Sequence, residues 1–472
     1  MPARLLHVDL DAFFVEVCRQ YHPELRNIEL LVVGGRRDQR GVVQSASHAA
    51  RRFGIHAGMP IAEAVRLCPQ ATFFQGSFVH YRDASQAVRA VLEDFSPTVV
   101  MASLDEAYLD FAGTERQYPT SLLPVAEQVR DTVKHRTGLD ASVGIGSNRM
   151  IAKMASDCAK PRGLMEVRPG WEKGFLAGLP LSALPGVGPK TAQRWAVLGL
   201  VNVHQIQEMT EREVERLIGA DARSLKLRAN GRGGTVLRPD RLTKSVSRET
   251  TLSRDVRDPA ELERILALLT ARVAGQLRDE QILARSVTLK LRHDDFRTVT
   301  RRITLETATD LDAEIYHAAR ELFRSAFADV RRRDRGVRLI GVAATNLGTA
   351  AEEDLFEAPE RVRLRHLTEA VDKVRNKYGF DAVTPGSIVE LRRKRPRSQF
   401  SGSPWTRTEG RLYRRPPLLA VQDPGRWRFG RCCPGLAPCC SGRADSIRQR
   451  HGWLLVGWRS HSPRHLPSPH WW

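Results

Sequence analysis

Two short apolar segments of this chain carry acids where a strand would bury them, and this limits the fold more than any other feature. Residues 4–10 (RLLHVDL) alternate as a strand and hold Asp9, with an apolar-aromatic stretch directly after them. Far along the chain, Val99–Ala102 and Ala107–Phe111 read as paired strands with Asp105 and Glu106 near their junction. An unpaired carboxylate is costly to bury, and a divalent cation removes that cost. Carboxylate oxygens suit a hard ion such as Mg²⁺. Two such ions, about 3.5–4 Å apart, activate a hydroxyl and stabilise a leaving pyrophosphate during in-line displacement, and phosphoryl transfer asks for little beyond positioning and charge. The carbonyl of Leu10 is a further candidate ligand, and Asp11 and Asp110 lie nearby as lesser ones. The plainer reading is that these are strand-end acids facing water.

At 472 residues the chain is expected to hold two to four domains. Its net charge of +20 suits a polyanionic partner, nucleic acid or an acidic membrane surface, although a basic chain with no such partner is the alternative. Half of that charge lies beyond Pro396, where 13 Arg meet only Glu409, Asp423 and Asp445, so the main body remains basic without the tail. No apolar run reaches the roughly 18 residues of a membrane span, and the N-terminal sequence lacks a signal-peptide layout. Cys18, Cys68 and Cys158 are scattered without metal-ligand spacing and read as reduced thiols of a cytoplasmic protein.

The pattern along the chain predicts an α/β (α+β) multidomain protein. Strands are expected at Leu30–Gly34, Val42–Ala46 and Asp140–Ile145, and helices at Ala49–Phe53, Pro60–Cys68, Leu122–His135 and Asn148–Ala159. Short helices broken by Gly and Pro follow from Trp171 to Leu227, and then a linker rich in Gly, Arg and Pro. Helices at 259–279 and 310–329 and strands at 285–292, 298–304 and 337–344 suggest a second α+β domain. An acidic patch containing Leu355-Phe356 and a helix near 360–377 come next, and the aperiodic Pro- and Arg-rich sequence from 396 to 472 reads as a disordered basic tail.

HVDLDAFF, SASHAARRFGIHAGMP, SLDEAYLD and VGIGSNRMIAKMASDCAKPRG, in this order and spacing, resemble a Y-family translesion DNA polymerase of the bacterial DNA polymerase IV type. The resemblance spans roughly residues 4–390. It implies a right-hand polymerase: palm at 1–10 and 79–170, fingers at 11–78, thumb at 171–236, linker at 237–243 and little finger at 244–350, followed by a clamp-binding region at 351–395. It further implies template-directed, low-fidelity nucleotidyl transfer from dNTPs to a primer 3′-hydroxyl without proofreading, with two Mg²⁺ ions per site and a monomer acting on primer-template DNA. Asp9, Asp105 and Glu106 match the family's metal ligands, with the Leu10 carbonyl. Phe14 matches the steric gate, whose ring leaves no room for a 2′-hydroxyl; Phe13 beside it is a further candidate nucleotide contact, with a core role as the alternative. Arg51 and Lys160 match triphosphate-holding cations, and Ser45 a hydroxyl near the same phosphates. His48 stands where Tyr is usual, Cys18 where Glu is common, and Gln44-Ser45 where the pair is more apolar.

Further elements bear on DNA. Leu184–Ala192 (LPGVGPKTA) resembles a helix-hairpin-helix, with Gly186, Gly188 and Lys190 facing a phosphate; a plain interhelical turn is the alternative. Lys244, Ser245 and Arg248 open the second α+β domain as candidate backbone-phosphate contacts, or as an exposed solubilising face. Leu355 and Phe356 sit where the family carries a sliding-clamp peptide, with Glu352 in place of its Gln. Gly144-x-Gly146 reads as a strand-ending turn. The tail's paired cysteines lack zinc-site spacing, and its six Trp are as well explained by disorder as by base stacking. Two rivals remain at this stage: a catalytically silent DNA- or clamp-bound adaptor, and a two-metal nuclease, which would not explain Phe14 with Arg51 and Lys160.

Overall fold

The structure is a computed structural model, and it describes residues 4–237, 243–332, 335–349, 359–384 and 386. Leu355, Phe356, Glu352, the tail and part of the expected linker lie outside the described residues.

The chain opens with β1 (Leu5–Leu10), α1 (Phe13–Tyr21), β2 (Leu31–Val33), β3 (Ser45–Ala46), α2 (His48–Arg51), α3 (Ile61–Leu67) and β4 (Thr72–Phe74). It continues through α4 (Phe78–Glu93), β5 (Val99–Met101), β6 (Glu106–Asp110), α5 (Leu123–Thr137), β7 (Ala141–Gly146), α6 (Arg149–Ala159) and β8 (Leu164–Glu166). Five of these strands form one sheet in the order β5-β6-β1-β7-β8, with β1 central. Central position explains why every residue of β1 is buried, His7 and Asp9 included. The helices α1, α4 and α5 cover the sheet with one apolar core built from residues such as Val15, Val88, Val129 and Leu109. The short strands β3-β2-β4 make a second sheet, with a core of its own around Ile55, Ile61 and Ala64.

Gly144 and Gly146 do not form the turn that the sequence suggested: Gly144 lies inside β7 and Gly146 is its last residue. Their purpose is packing. A Cβ at Gly144 would stand 2.1 Å from the Ala152 carbonyl oxygen and 2.2 Å from the Ser156 nitrogen, so only glycine lets α6 rest directly on the sheet. α6 also joins a third core, through Ile151, Met154 and Ala155.

That third core belongs to α7 (Glu172–Ala177), α8 (Pro189–Val197), α9 (Val203–Glu208), α10 (Glu211–Ile218) and α11 (Ala222–Ala229). The second α+β region follows: β9 (Ser245–Val256), α12 (Pro259–Asp279), β10 (Ile282–His293), β11 (Thr298–Thr309), α13 (Asp312–Arg332), β12 (Val337–Thr349) and α14 (Pro359–Tyr378). Its antiparallel sheet runs β11-β10-β12-β9, and α12 and α13 pack on it over a fourth core containing Leu266, Val287, Phe323 and Ile340. Arg40, in the loop between β2 and β3, reaches this region: it donates to both oxygens of Asp255, at 2.7 and 3.2 Å, and to the Leu252 carbonyl. Arg338 donates to the same carboxylate at 3.2 Å twice.

No helix among the described residues is long and apolar enough to cross a membrane.

Candidate active site

Sheet register brings the three acids to one place. Asp9 stands opposite Glu106 in the β1–β6 ladder, and the Leu10 amide donates to the Asp105 carbonyl at 2.9 Å. Asp105 and Glu106 are fixed by a turn: Ser103 Oγ donates to the Asp105 carboxylate at 2.5 Å and accepts from the Asp105 and Glu106 amides. Asp11 is elsewhere engaged, accepting from the Ser142 hydroxyl and the Arg162 amide. Asp110, at the far end of β6, caps the Ala112 amide. Neither lesser candidate joins the group.

The side chains do not converge as the sequence led us to expect. Among the described residues, no three His, Cys, Asp or Glu side chains stand together as a ready metal cluster. Two of the three carboxylates, Asp9 and Glu106, are each drawn to a lysine of α6 or its C-terminus instead, while Asp105 stays on Ser103. Lys160 Nζ lies 2.8 Å from Asp9 and 2.9 Å from Asp157, and Lys153 Nζ lies 2.6 Å from Glu106. The donor set still fits a divalent cation. Its oxygens are hard, its backbone positions are adjacent, and burial lifts the Asp9 carboxyl above its ordinary range despite Lys160, so a stronger cation would be favoured there.

Glu106 behaves in the opposite way. The His7 ring, 3.6 Å away, and then the Lys153 ammonium hold its carboxyl down at about 2, against the effect of burial. His7 is itself wholly buried; its Nδ1 pairs with Ser156 Oγ at 2.7 Å, and its ring tilts against Tyr108 at 4.5 Å. Both lysines are held above the usual ammonium range by their carboxylate partners, which outweigh their partial burial.

The other site residues divide clearly. Phe14 is half-buried on the edge of the main core, with its ring 4.4 Å from Tyr81 and 6.4 Å from Phe78. Phe13 is packed inside that core at 2% exposure, so the expectation that it touches nucleotide is corrected: its ring has no free face. Cys18 is buried too, with its Sγ 3.2 Å from the Tyr81 hydroxyl, and it serves packing behind the gate position. Ser45 is buried in β3, His48 is exposed at the start of α2, and Arg51 turns its Nε back to the Ala46 carbonyl at 3.0 Å.

In the LPGVG turn, Leu184 and Val187 point into the third core while Gly186, Gly188 and Lys190 are exposed, and Gly186 takes a positive φ of 90°. Lys244 and Ser245 are exposed. Arg248 does not share the face of Ser245: by strand parity it lies on the side of buried Val246, paired with Val342.

Sequence reasoning missed Lys153, Asp157, His7, Ser156 and Tyr81. A signal for the first two was present. Lys153, Asp157 and Lys160 are spaced i, i+4, i+7, which puts all three on one helical face.

The profile of the impB/mucB/samB family matches residues 8–157, and that of its C-terminal domain matches residues 243–355. DNA polymerase IV of Dehalococcoides mccartyi (strain CBDB1) is 37% identical over 389 residues, 82% of this chain and 98% of the relative. DNA polymerase IV of Alkalilimnicola ehrlichii is 38% identical over 353 residues, covering 74% and 97%. Among solved structures, a Y-family DNA polymerase chimera of Dbh and Dpo4 superimposes with a TM-score of 0.63 at 25% identity, covering 73% of this chain and 99% of that one. An insertion ternary complex of Dbh DNA polymerase gives 0.51 over the same shares. Full-length relatives and a shared fold agree with the carboxylates at the head of the central sheet: the chain belongs to the Y family of translesion DNA polymerases, on its DNA polymerase IV branch.

Proposed function

We propose that Asp9, Asp105 and Glu106, with the Leu10 carbonyl, hold two Mg²⁺ ions during template-directed transfer of dNTPs to a primer 3′-hydroxyl. The observation that carries this reading is the pairing of Asp9 with Glu106 in the central sheet, with Asp105 joined to Leu10 beside them. When bound, such ions supply the charge that activates the hydroxyl and stabilises the leaving pyrophosphate. The chain's own residues do the rest. Phe14 offers a half-exposed ring edge against C2′ of the incoming sugar, backed by Tyr81. Lys160 and Arg51 supply positive charge for the triphosphate, with Ser45 and His48 beside them on β3 and α2.

Residues 1–10 and 79–170 act as palm, 11–78 as fingers, 171–236 as thumb and 244–350 as little finger. The separate cores support this division in part: α1 and residues of β2 pack with the palm core, and α6 of the palm joins the thumb core. Gly186, Gly188 and Lys190 grip one backbone phosphate, and Lys244 and Ser245 grip others, so affinity for primer-template DNA falls with salt. The Dbh relative's ternary complex supports DNA as the partner. The enzyme works as a cytoplasmic monomer and reaches a sliding clamp through Leu355 and Phe356. Clamp pull-down undiminished by Leu355→Ala/Phe356→Ala would remove that last point.

Primer extension by the purified chain with dNTPs, which EDTA should stop and Mg²⁺ restore, tests the main reading. The silent-adaptor alternative gains nothing from the comparisons, and a scaffold has no need of three acids at one sheet end.

A further inference from the structure

Three groups of α6 and its end, Lys153, Asp157 and Lys160, form a chain of charge of which the reaction as described uses only Lys160. Lys153 and Lys160 each neutralise a carboxylate of the site, and Asp157 lies between them on the same helical face. Lys160 already spans both acids, at 2.8 Å from Asp9 and 2.9 Å from Asp157. Lys153 is 2.6 Å from Glu106 and 3.9 Å from Asp157. Asp157 is the open member of the set, its side chain 45% exposed against 7% for Asp9.

An ammonium this close to a carboxylate oxygen occupies the direction from which another cation would approach. It must leave before that oxygen can serve a divalent ion, at about 2.1 Å for magnesium. Left in place without a partner, it would be a partly buried charge beside a dication. A second carboxylate within reach lowers that cost. For Lys153, closing on Asp157 to an ordinary ion-pair length of about 2.8 Å takes a shift of about 1 Å. Lys160 needs only to release one of its two partners.

We propose that Lys153 and Lys160 are positioning residues that hold Glu106 and Asp9 in place until metal arrives, and that Asp157 is the seat to which both ammoniums then pass. This rests on reading Asp9, Asp105 and Glu106 as metal ligands. Lys153 thus has a role apart from the triphosphate contact given to Lys160. Asp157 is a positioning residue that acts through the lysines and touches no substrate.

The test is a double-mutant cycle on Mn²⁺ binding by the full-length, DNA-free protein, read by loss of the free-ion electron paramagnetic signal. Asp157→Asn should weaken binding about fivefold, the scale of a partly exposed ion pair. In a Lys153→Met/Lys160→Met background the same substitution should have no effect, because no ammonium remains to be seated. An equal loss in both backgrounds would mean that Asp157 acts only through its long-range charge, and that result, or no loss in either, overturns the inference. Should the Met pair fail to fold, Lys153→Gln/Lys160→Gln serves as the background. Asp105→Asn separates the two layers. If it leaves Mn²⁺ binding intact, the ligand reading falls and this inference falls with it; if it abolishes binding while the cycle is additive, only the inference falls.

Discussion

Asp9 and Glu106 face each other across β1 and β6, yet their carboxyl groups are displaced in opposite directions, Asp9 upward by burial and Glu106 downward by His7 and Lys153. Two acids at one register position therefore have different electrostatic surroundings. The downward displacement of Glu106 comes from the packing of α6, which brings Ser156 under His7 and Lys153 to Glu106, whereas at Asp9 the nearby Lys160 only partly offsets burial.

Gly144 makes that packing possible, so Gly144→Ala should act at a distance from the chemistry. The new methyl meets helix backbone at 2.1 Å, and backbone cannot swing aside as a side chain can. We expect a loss of about 3 kcal/mol in stability and a fall in primer extension at temperatures where the variant is still folded. Thermal unfolding by circular dichroism beside an extension assay checks both, and a wild-type melting curve would show that α6 does not sit as described.

Phe13 and Phe14 should give opposite phenotypes. Phe14→Ala removes a half-exposed ring and is expected to raise the ratio of ribonucleotide to deoxynucleotide incorporation by about tenfold or more, with little loss of stability. Phe13→Ala empties a core site and should cost about 3–5 kcal/mol without a selective change in sugar choice. Steady-state incorporation of each nucleotide class by the two variants decides; unchanged discrimination in Phe14→Ala would reduce that ring to packing.

Asp255 links the loop of Arg40 to the strand of Arg338, and these two guanidiniums hold its carboxyl below the usual carboxylate range, Arg40 first. A depressed folded value contributes stability above the unfolded value of about 3.9, and the contribution is lost as pH falls through the folded one. Asp255→Asn should therefore lower the melting temperature at pH 7, by an amount equivalent to about 1 kcal/mol. The gap from wild type should narrow as the medium is taken below about pH 4. A gap that stays constant with pH would show that the carboxylate's charge is not what counts.

Much of the architecture is readable from residue order alone, and the exceptions have physical causes. α5 carries clear periodicity because one face meets a large core, α6 because its apolar residues join the third core, and β1, β6 and β7 read as strands because their apolar runs are buried in the sheet. β9 escaped notice because it is an edge strand: only Val246, Leu252 and Val256 of its 12 residues are deeply buried, and the charged remainder resembles a linker. Val42–Ala46 shrank to Ser45–Ala46, since β3 pairs with β2 through two residues only. At the site, the acids were legible because they interrupt apolar strands. His7 was not: a buried histidine within a strand looks like any core residue until Ser156 and Glu106 are placed around it. Gly144 misled for the same reason, since what a glycine excludes depends on the helix above it.

The most direct test of the central claim is primer extension on a primed template with dNTPs and Mg²⁺, comparing the wild type with Asp105→Ala at matched DNA occupancy. The site described here predicts extension by the wild type and none by the variant, with DNA binding by fluorescence anisotropy nearly unchanged. Full extension by Asp105→Ala would contradict it.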